Sequence, residues 1–290
     1  MINYVYLYLL SPLHTGGTTQ EGNLLGIARE SHTTLPYIPS STIRGKIRSS
    51  VSDRVQRIQL FGPELDDVQK FADDYKKATG KELKQLEQGD IWVGDGSILW
   101  LPVPSLSHGI VWISCPMLLE RWKRFCSIDD AKVPVEYSTN ISNTGRVYLK
   151  DAILQDLSDW QEWTSFVPQT SETSSIKQLL VLPNQHCTTL IQMSLWRQVK
   201  IKLDDHKSVQ GGFRYEEAIP PDTLMYFPWG ITSQANGTAQ AQANGTVHVS
   251  QTKFEDLLSN NQILQIGGQE SLGRGFVQQW LGNKTSKEGV

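Results

Sequence analysis

Cysteine is scarce in this chain of 290 residues. There are three, Cys115, Cys126 and Cys187, odd in number and far apart. That excludes a paired disulfide framework and the close ligand spacing of a zinc site. Three reduced, inert thiols in a cytosol are the expectation. Neither sign of charge dominates either. The net charge is −3, so the surface is no general polycation, and a polyanionic partner must meet a local basic patch. Long apolar runs are also missing. The opening MINYVYLYLLSPLH has no basic leader and only a short apolar stretch, so it reads as neither a signal peptide nor a membrane span. The expected location is cytoplasmic, with no membrane partner. The Asn-Gly-Thr triplets at Asn236 and Asn244 then carry no glycan. What remains is an ordinary soluble composition, 39% hydrophobic and 20% charged, long enough for a sizeable core.

Along the chain, strand and helix patterns interleave, which predicts an α+β sheet with helices on one face. Tyr4, Tyr6 and Tyr8 alternate with Val5, Leu7 and Leu9, the pattern of a strand covered on both sides. DIWVGDGSILWLPVPS reads as strand, turn and strand. GIVWISCPMLLERWKRF reads as a strand running into a helix. Trp92, Trp100, Trp112 and Trp122 are expected to be core and sheet-face residues. QVKIKL is a strand, and HKSVQGGFRYEEAIP returns beside it as a hairpin. Residues 130–180 are polar and irregular. TSQANGTAQAQANGTVHVSQ is of low complexity, so a flexible surface loop is expected over 232–250. Ser11–Ser41 is too long for a simple connection, and such loops often carry function.

SSTIRGKIRSSVSDRVQRI reads as one helix. Ser40 or Ser41 can cap it, and Ile43, Ile47, Val51, Val55 and Ile58 make one apolar stripe. Across residues 40–57 five cations, Arg44, Lys46, Arg48, Arg54 and Arg57, face a single Asp53. This is the densest basic patch in the chain. Gly45 costs helix stability, which makes sense if a ligand must approach the helix closely. Phosphates need backbone donors and positive charge. Ser40, Ser41 and the first amides of the helix offer donors, and Arg44, Lys46 and Arg48 offer charge.

A second candidate is IGGQESLGRGF near the end. Gly267, Gly268, Gly273 and Gly275 allow close backbone approach and can aim amides at an oxyanion. Arg274 is placed to reach a phosphate. A hairpin or bulge that needs glycine for geometry alone is the plainer alternative.

These features come in a specific order. It runs from the first strand with His14 and Gly16-Gly17, through PYIPSSTIRGKIRS, LFG, GDGSILWLPVPS and WISCPMLLER, to FRYEEAIPPDTLMYF and LQIGGQESLGRGFV. In that order they resemble the RAMP superfamily, and within it the backbone subunit of Cmr-type, type III-B CRISPR effector complexes, from Tyr4 to about Phe276. The resemblance implies a single RAMP domain over 1–290. It would have a ferredoxin-like, RRM-like palm, inserted loops and a thumb hairpin, placed here within 155–180. It implies binding of CRISPR RNA and target RNA, filaments of the protein with itself, and other Cmr-type subunits as partners. No intrinsic cofactor is implied.

In many relatives an aspartate after the first strand cuts target RNA with a divalent ion, Mg or Mn. Here that loop aligns on RESHT, Arg29–Thr33, and Gly22–Ala28 holds no carboxylate. His14 and Glu21 are the remaining catalytic candidates, and His32 a loop residue beside them. Glu216 and Glu217 match a family acidic pair, one structural and one facing the target strand. The expectation is a subunit that holds RNA and cuts it weakly or not at all. The alternatives are a metal-dependent target nuclease and a RAMP-type endonuclease that processes CRISPR RNA.

Overall fold

The computed structural model describes residues 2–21, 24–80, 82–85, 87–126, 131–142, 145–232 and 246–282, with backbone alone for 17–21 and 246–248. Strand β1 (Asn3–Leu9) is buried along its whole length. Side chains alternate across a strand. Val5, Leu7 and Leu9 therefore enter an aliphatic core, and Tyr4, Tyr6 and Tyr8 an aromatic one. A strand buried on both faces belongs in the middle of a layered sheet. Its antiparallel neighbours are β14 (Leu224–Ile231) and β16 (Phe276–Leu281).

The sheet has ten strands and is mixed. Its order is β10 (Ser158–Asp159), β7 (Ser138–Thr139), β11 (Leu179–Val181), β6 (Gly109–Ser114), β5 (Ser97–Ser105), β14, β1, β16 and β15 (Ile263–Gln265), with β4 (Ile91–Val93) also on β14. Strand β11 runs parallel to β6, and β10 parallel to β7. A second sheet orders β12 (Trp196–Leu203), β13 (Val209–Ala218), β3 (Leu24–Ile27) and β2 (Gly16–Glu21). Strands β8 (Arg146–Tyr148) and β9 (Ile153–Gln155) form a small ribbon.

Helices cover both faces of the main sheet, not one. The aliphatic core takes Ile43 and Ile47 of α1 (Ser40–Ser50), Leu60 and Phe61 of α2 (Arg54–Phe61), and Leu190 and Ile191 from further along the chain. The short helices α3 (Asp67–Lys70) and α4 (Ala72–Thr79) pack on α2 through Ile58 and Tyr75. The aromatic core takes Leu119, Trp122 and Cys126 of α5 (Pro116–Cys126). Among the described residues the helices are completed by α6 (Asn184–Met193) and α7 (Thr246–Asn260), whose Phe254 and Leu258 join the aliphatic core.

Three expectations are corrected here. The helix expected over 40–58 is two. Ser49 and Ser50 turn their hydroxyls back onto the Lys46 and Ile47 carbonyls, each at 2.7 Å. Asp53 then caps a new helix by accepting from the Val55 amide at 2.9 Å. Serine and aspartate compete with the helix ladder in this way, which favours ends over interiors.

The segment 155–180 is no projecting thumb. Trp160, Phe166, Val167 and Ile176 are buried in the aromatic core, and the Trp100 indole donates to the Phe166 carbonyl at 2.9 Å. The hairpin exposed along most of its length is β12–β13. Finally, α7 begins at Thr246, inside the stretch expected to be a loop; residues 233–245 lie outside the described residues. Among the described residues no helix is long and apolar enough to cross a membrane.

Candidate nucleic-acid interface

Hairpin β12–β13 has two different faces because its sequence alternates with period two. On one face the cross-strand pairs are Val199–Tyr215, Ile201–Phe213 and Leu203–Val209. All six side chains are exposed, by 42% to 57%. Phe213 and Tyr215 meet edge to face at 5.5 Å. The other face carries Lys200 opposite Arg214, and Lys202 beyond. The tip closes on Asp204, whose carboxylate accepts the His206 and Ser208 amides at 2.9 and 2.8 Å, a side-chain turn of the kind aspartate favours. Gly211 and Gly212 sit at φ +78° and +89° with open space around them.

The root of the hairpin is charged. Adjacent strand residues point to opposite faces, so Glu216 and Glu217 seed two separate clusters, and both carboxylates are buried. Glu216 meets Lys200, Arg214 and Arg274, each at 3.0 Å. Glu217 meets Arg29 at 2.7 Å and Arg197 at 2.9 Å. Beside them Arg121 pairs with Glu30 at 2.5 Å. Burial raises the Glu216 pKa, but Lys200 and Arg274 outweigh it and hold the carboxyl below its usual value. The Glu30 carboxyl is lowered likewise, burial opposing and Arg121 prevailing. Neither glutamate of the expected acidic pair is free to face a target strand.

Arg274 is turned inward. Its guanidinium is buried and lies 4.4 Å from the Trp196 ring centroid. It donates to Glu216, to Gln269 and, at 2.8 Å, to Gln198. It therefore anchors the hairpin and is not placed to reach a phosphate. The glycine-rich loop is equally committed. The Gly268 amide donates to the His14 carbonyl, the Gly273 amide to the Glu270 carbonyl and the Gly275 amide to the Pro12 carbonyl, each at 2.9 Å. Those three amides are spent within the fold. Gly267 and Gly275 have positive φ, and an added Cβ would collide with the carbonyls of His14 and Ile266. The plainer alternative, geometry alone, holds for both.

The basic helix is corrected as well. Ser40 and Ser41 do not cap it; Pro39 holds the cap position, without a side-chain hydrogen bond. The Ser40 amide instead donates to Asp95 at 2.6 Å, so a carboxylate from another loop already sits at the helix start. Arg44 donates to the Phe61 carbonyl, and Arg48 to the carbonyls of Phe61 and Gly62 at 3.1 and 2.8 Å. Both arginines satisfy the open carbonyl end of α2. Burial, with Arg48 adding to it, lowers the Arg44 pKa. Lys46 has no ion-pair partner among the described residues, and Ser41 and Gly45 are exposed beside it.

His14 is buried, with Nδ1 2.8 Å from the Glu217 carbonyl oxygen. His32 is exposed, 3.9 Å from Glu30. The Glu21 side chain lies outside the described residues, as do Gly22 and Asn23. Among the described residues no three His, Cys, Asp or Glu side chains gather as a metal site.

The residues that sequence reasoning passed over are Arg29, Arg197, Lys200 and Arg214. For Lys200 and Arg214 the signal was the alternation of QVKIKL against GGFRYEE; Arg29 and Arg197 lie outside both stretches. Apolar and cationic residues alternate over Val199–Leu203 on one strand and Phe213–Tyr215 on the other.

Comparison with known proteins agrees with the architecture. The chain is 28% identical over 314 aligned residues to the CRISPR system Cmr endoribonuclease Cmr4 of Pyrococcus furiosus, covering 99% of this chain and 97% of that protein. A crystal structure of Cmr4 superposes with a TM-score of 0.68 at 23% identity, covering 98% of this chain and all of the other. A chain of the type III-B Cmr-beta complex bound to cognate target RNA superposes with a TM-score of 0.64 at 18% identity, covering 97% of each. The RAMP superfamily model matches residues 6–278. With nearly the whole length matched, this chain is a member of the RAMP superfamily.

Proposed function

We propose that this protein is a guide-binding backbone subunit of a type III-B CRISPR effector. It holds CRISPR RNA, repeats along that RNA as a filament of itself, and supports target RNA and other Cmr-type subunits. Hairpin β12–β13 carries the reading. Six large apolar side chains exposed on one face of a hairpin call for a covering partner. Aromatic and β-branched residues of this kind wedge between bases and stack on them. The hairpin is the thumb, in place of 155–180, and the sheet around β1, β14 and β16 is the RRM-like palm. The relatives whose names specify Cmr4, and the Cmr-beta complex bound to target RNA, support this reading.

The protein expressed alone is expected to form RNA-bound oligomers of several lengths. Mass photometry and the ratio of absorbance at 260 and 280 nm check this. A monomer free of nucleic acid would refute it.

Cleavage of target RNA by this subunit is weak or absent. A scissile phosphate site needs hard anionic oxygen to hold a divalent ion, and Gly22–Ala28 offers no carboxylate. His14 is engaged with the backbone of Glu217. Glu21 is the one carboxylate left for Mg or Mn if cutting occurs. The test uses the assembled complex, labelled complementary RNA and added Mg or Mn. Evenly spaced cuts that disappear in Glu21→Ala would show that the subunit does cleave.

A further inference from the structure

The Glu216 cluster holds more positive charge than it uses. Three cations converge on one carboxylate. Arg274 is buried and closes its valences on Glu216, Gln198 and Gln269. The other two are not so confined, since the side chains of Lys200 and Arg214 are 27% and 60% exposed. Lys202 stands on the same face toward the tip, with no ion-pair partner among the described residues. Beside it Gly212 presents bare backbone with nothing within 4 Å. The opposite face of the hairpin is apolar and has no cation along β12 beyond Arg197 at the root. Cations are thus sorted onto one face and apolar groups onto the other.

We infer that the Lys200–Lys202–Arg214 face of the hairpin is a phosphate-binding strip for a phosphodiester backbone, separate from the basic helix α1. The inference rests on the RNA-binding reading above. The strip needs no rearrangement of the fold. Lys200 and Arg214 turn from Glu216 to a phosphate, and Arg274 keeps Glu216 neutralised in the interior. Contacts of this kind are insensitive to base identity. The bare backbone at Gly212 lets the strand lie close against the sheet.

Binding of a mixed-sequence RNA and a homouridine RNA of equal length is measured across a salt series, with the protein alone. It is repeated on guide–target duplex in the reconstituted complex. Lys200→Ala with Arg214→Ala is expected to lower the slope of log affinity against log salt by about two, and Lys202→Ala by about one, for both sequences. Lys200→Arg with Arg214→Lys should restore the slope. Lys202→Ala guards against misfolding, because that side chain is exposed. A loss seen with single-stranded RNA assigns the strip to the guide, and one seen only with duplex assigns it to the target. Wild-type slopes in Lys202→Ala and in the double variant, with RNA still bound, would overturn the strip and leave the proposed function standing. No RNA binding by the wild type would overturn both.

Discussion

Gly275→Ala is expected to leave almost no folded protein. The backbone at Gly275 has φ +78°, and its added Cβ would fall on the Ile266 carbonyl oxygen. That oxygen cannot retreat easily, because Gly275 and Ile266 are joined by a 2.7 Å backbone hydrogen bond and the Gly275 amide is held by Pro12. A left-handed conformation costs an alanine about 1–2 kcal/mol, and the collision adds to it, for a loss beyond about 4 kcal/mol. Gly273 is the control. It has φ +73° but open space around it, so Gly273→Ala should lose only the conformational 1–2 kcal/mol or so. Soluble yield and the denaturant midpoint read both. A Gly275→Ala protein with a wild-type midpoint would show that the loop relaxes freely and that its glycines serve a ligand.

Glu216→Ala should be nearly as severe. Removing one member of a buried pair leaves the other charge buried and uncompensated, typically about 3–5 kcal/mol. The stranded charge here is Arg274, because Lys200 and Arg214 can turn to water. Lys200→Ala should then lose no more than about 1 kcal/mol. Adding Arg274→Met to Glu216→Ala should recover most of the deficit, since an apolar group replaces the orphan charge. The pH dependence has a definite sign. The folded Glu216 carboxyl has a lowered pKa. Its contribution is therefore complete above the unfolded carboxylate value near ~4.3, and it is lost as pH falls through the lower folded value. Wild type and Glu216→Gln should converge in stability in strong acid. A gap that stays constant into acid would rule out Glu216 as the source.

Much of the fold could be read before the structure, and the reasons are local. Alternation in Tyr4–Leu9 demands a strand covered twice, and β1 is one. The stripe of Ile43 and Ile47 demands a buried helix face. The errors share a different cause. Arg44, Arg48 and Arg274 look like solvent-facing cations because no carboxylate or open helix end that holds them is adjacent in sequence. Their acceptors are the Phe61 and Gly62 carbonyls and the Glu216 carboxylate, brought in by folding. Ser40 looked like a cap because Asp95 is far away in sequence. The hairpin was legible as two strands, but period two cannot say whether an apolar face is covered or bare. The segment 155–180 looked like a thumb because it is polar and has no core pattern, yet it supplies Trp160 and Phe166 to the core.

The position of β1 has a consequence for how the molecule is made. β1 is a central strand, and both of its partners, β14 and β16, are synthesised long after it. Until then Tyr4–Leu9 has no ladder to join. The nascent chain must carry an unpaired apolar strand until β14 and β16 have been made, a state that invites misassociation. Arg274 arrives just ahead of β16, so the root of the hairpin and the centre of the sheet close almost together. Translation speed and chaperone supply should therefore limit the yield of this protein more than its final stability does.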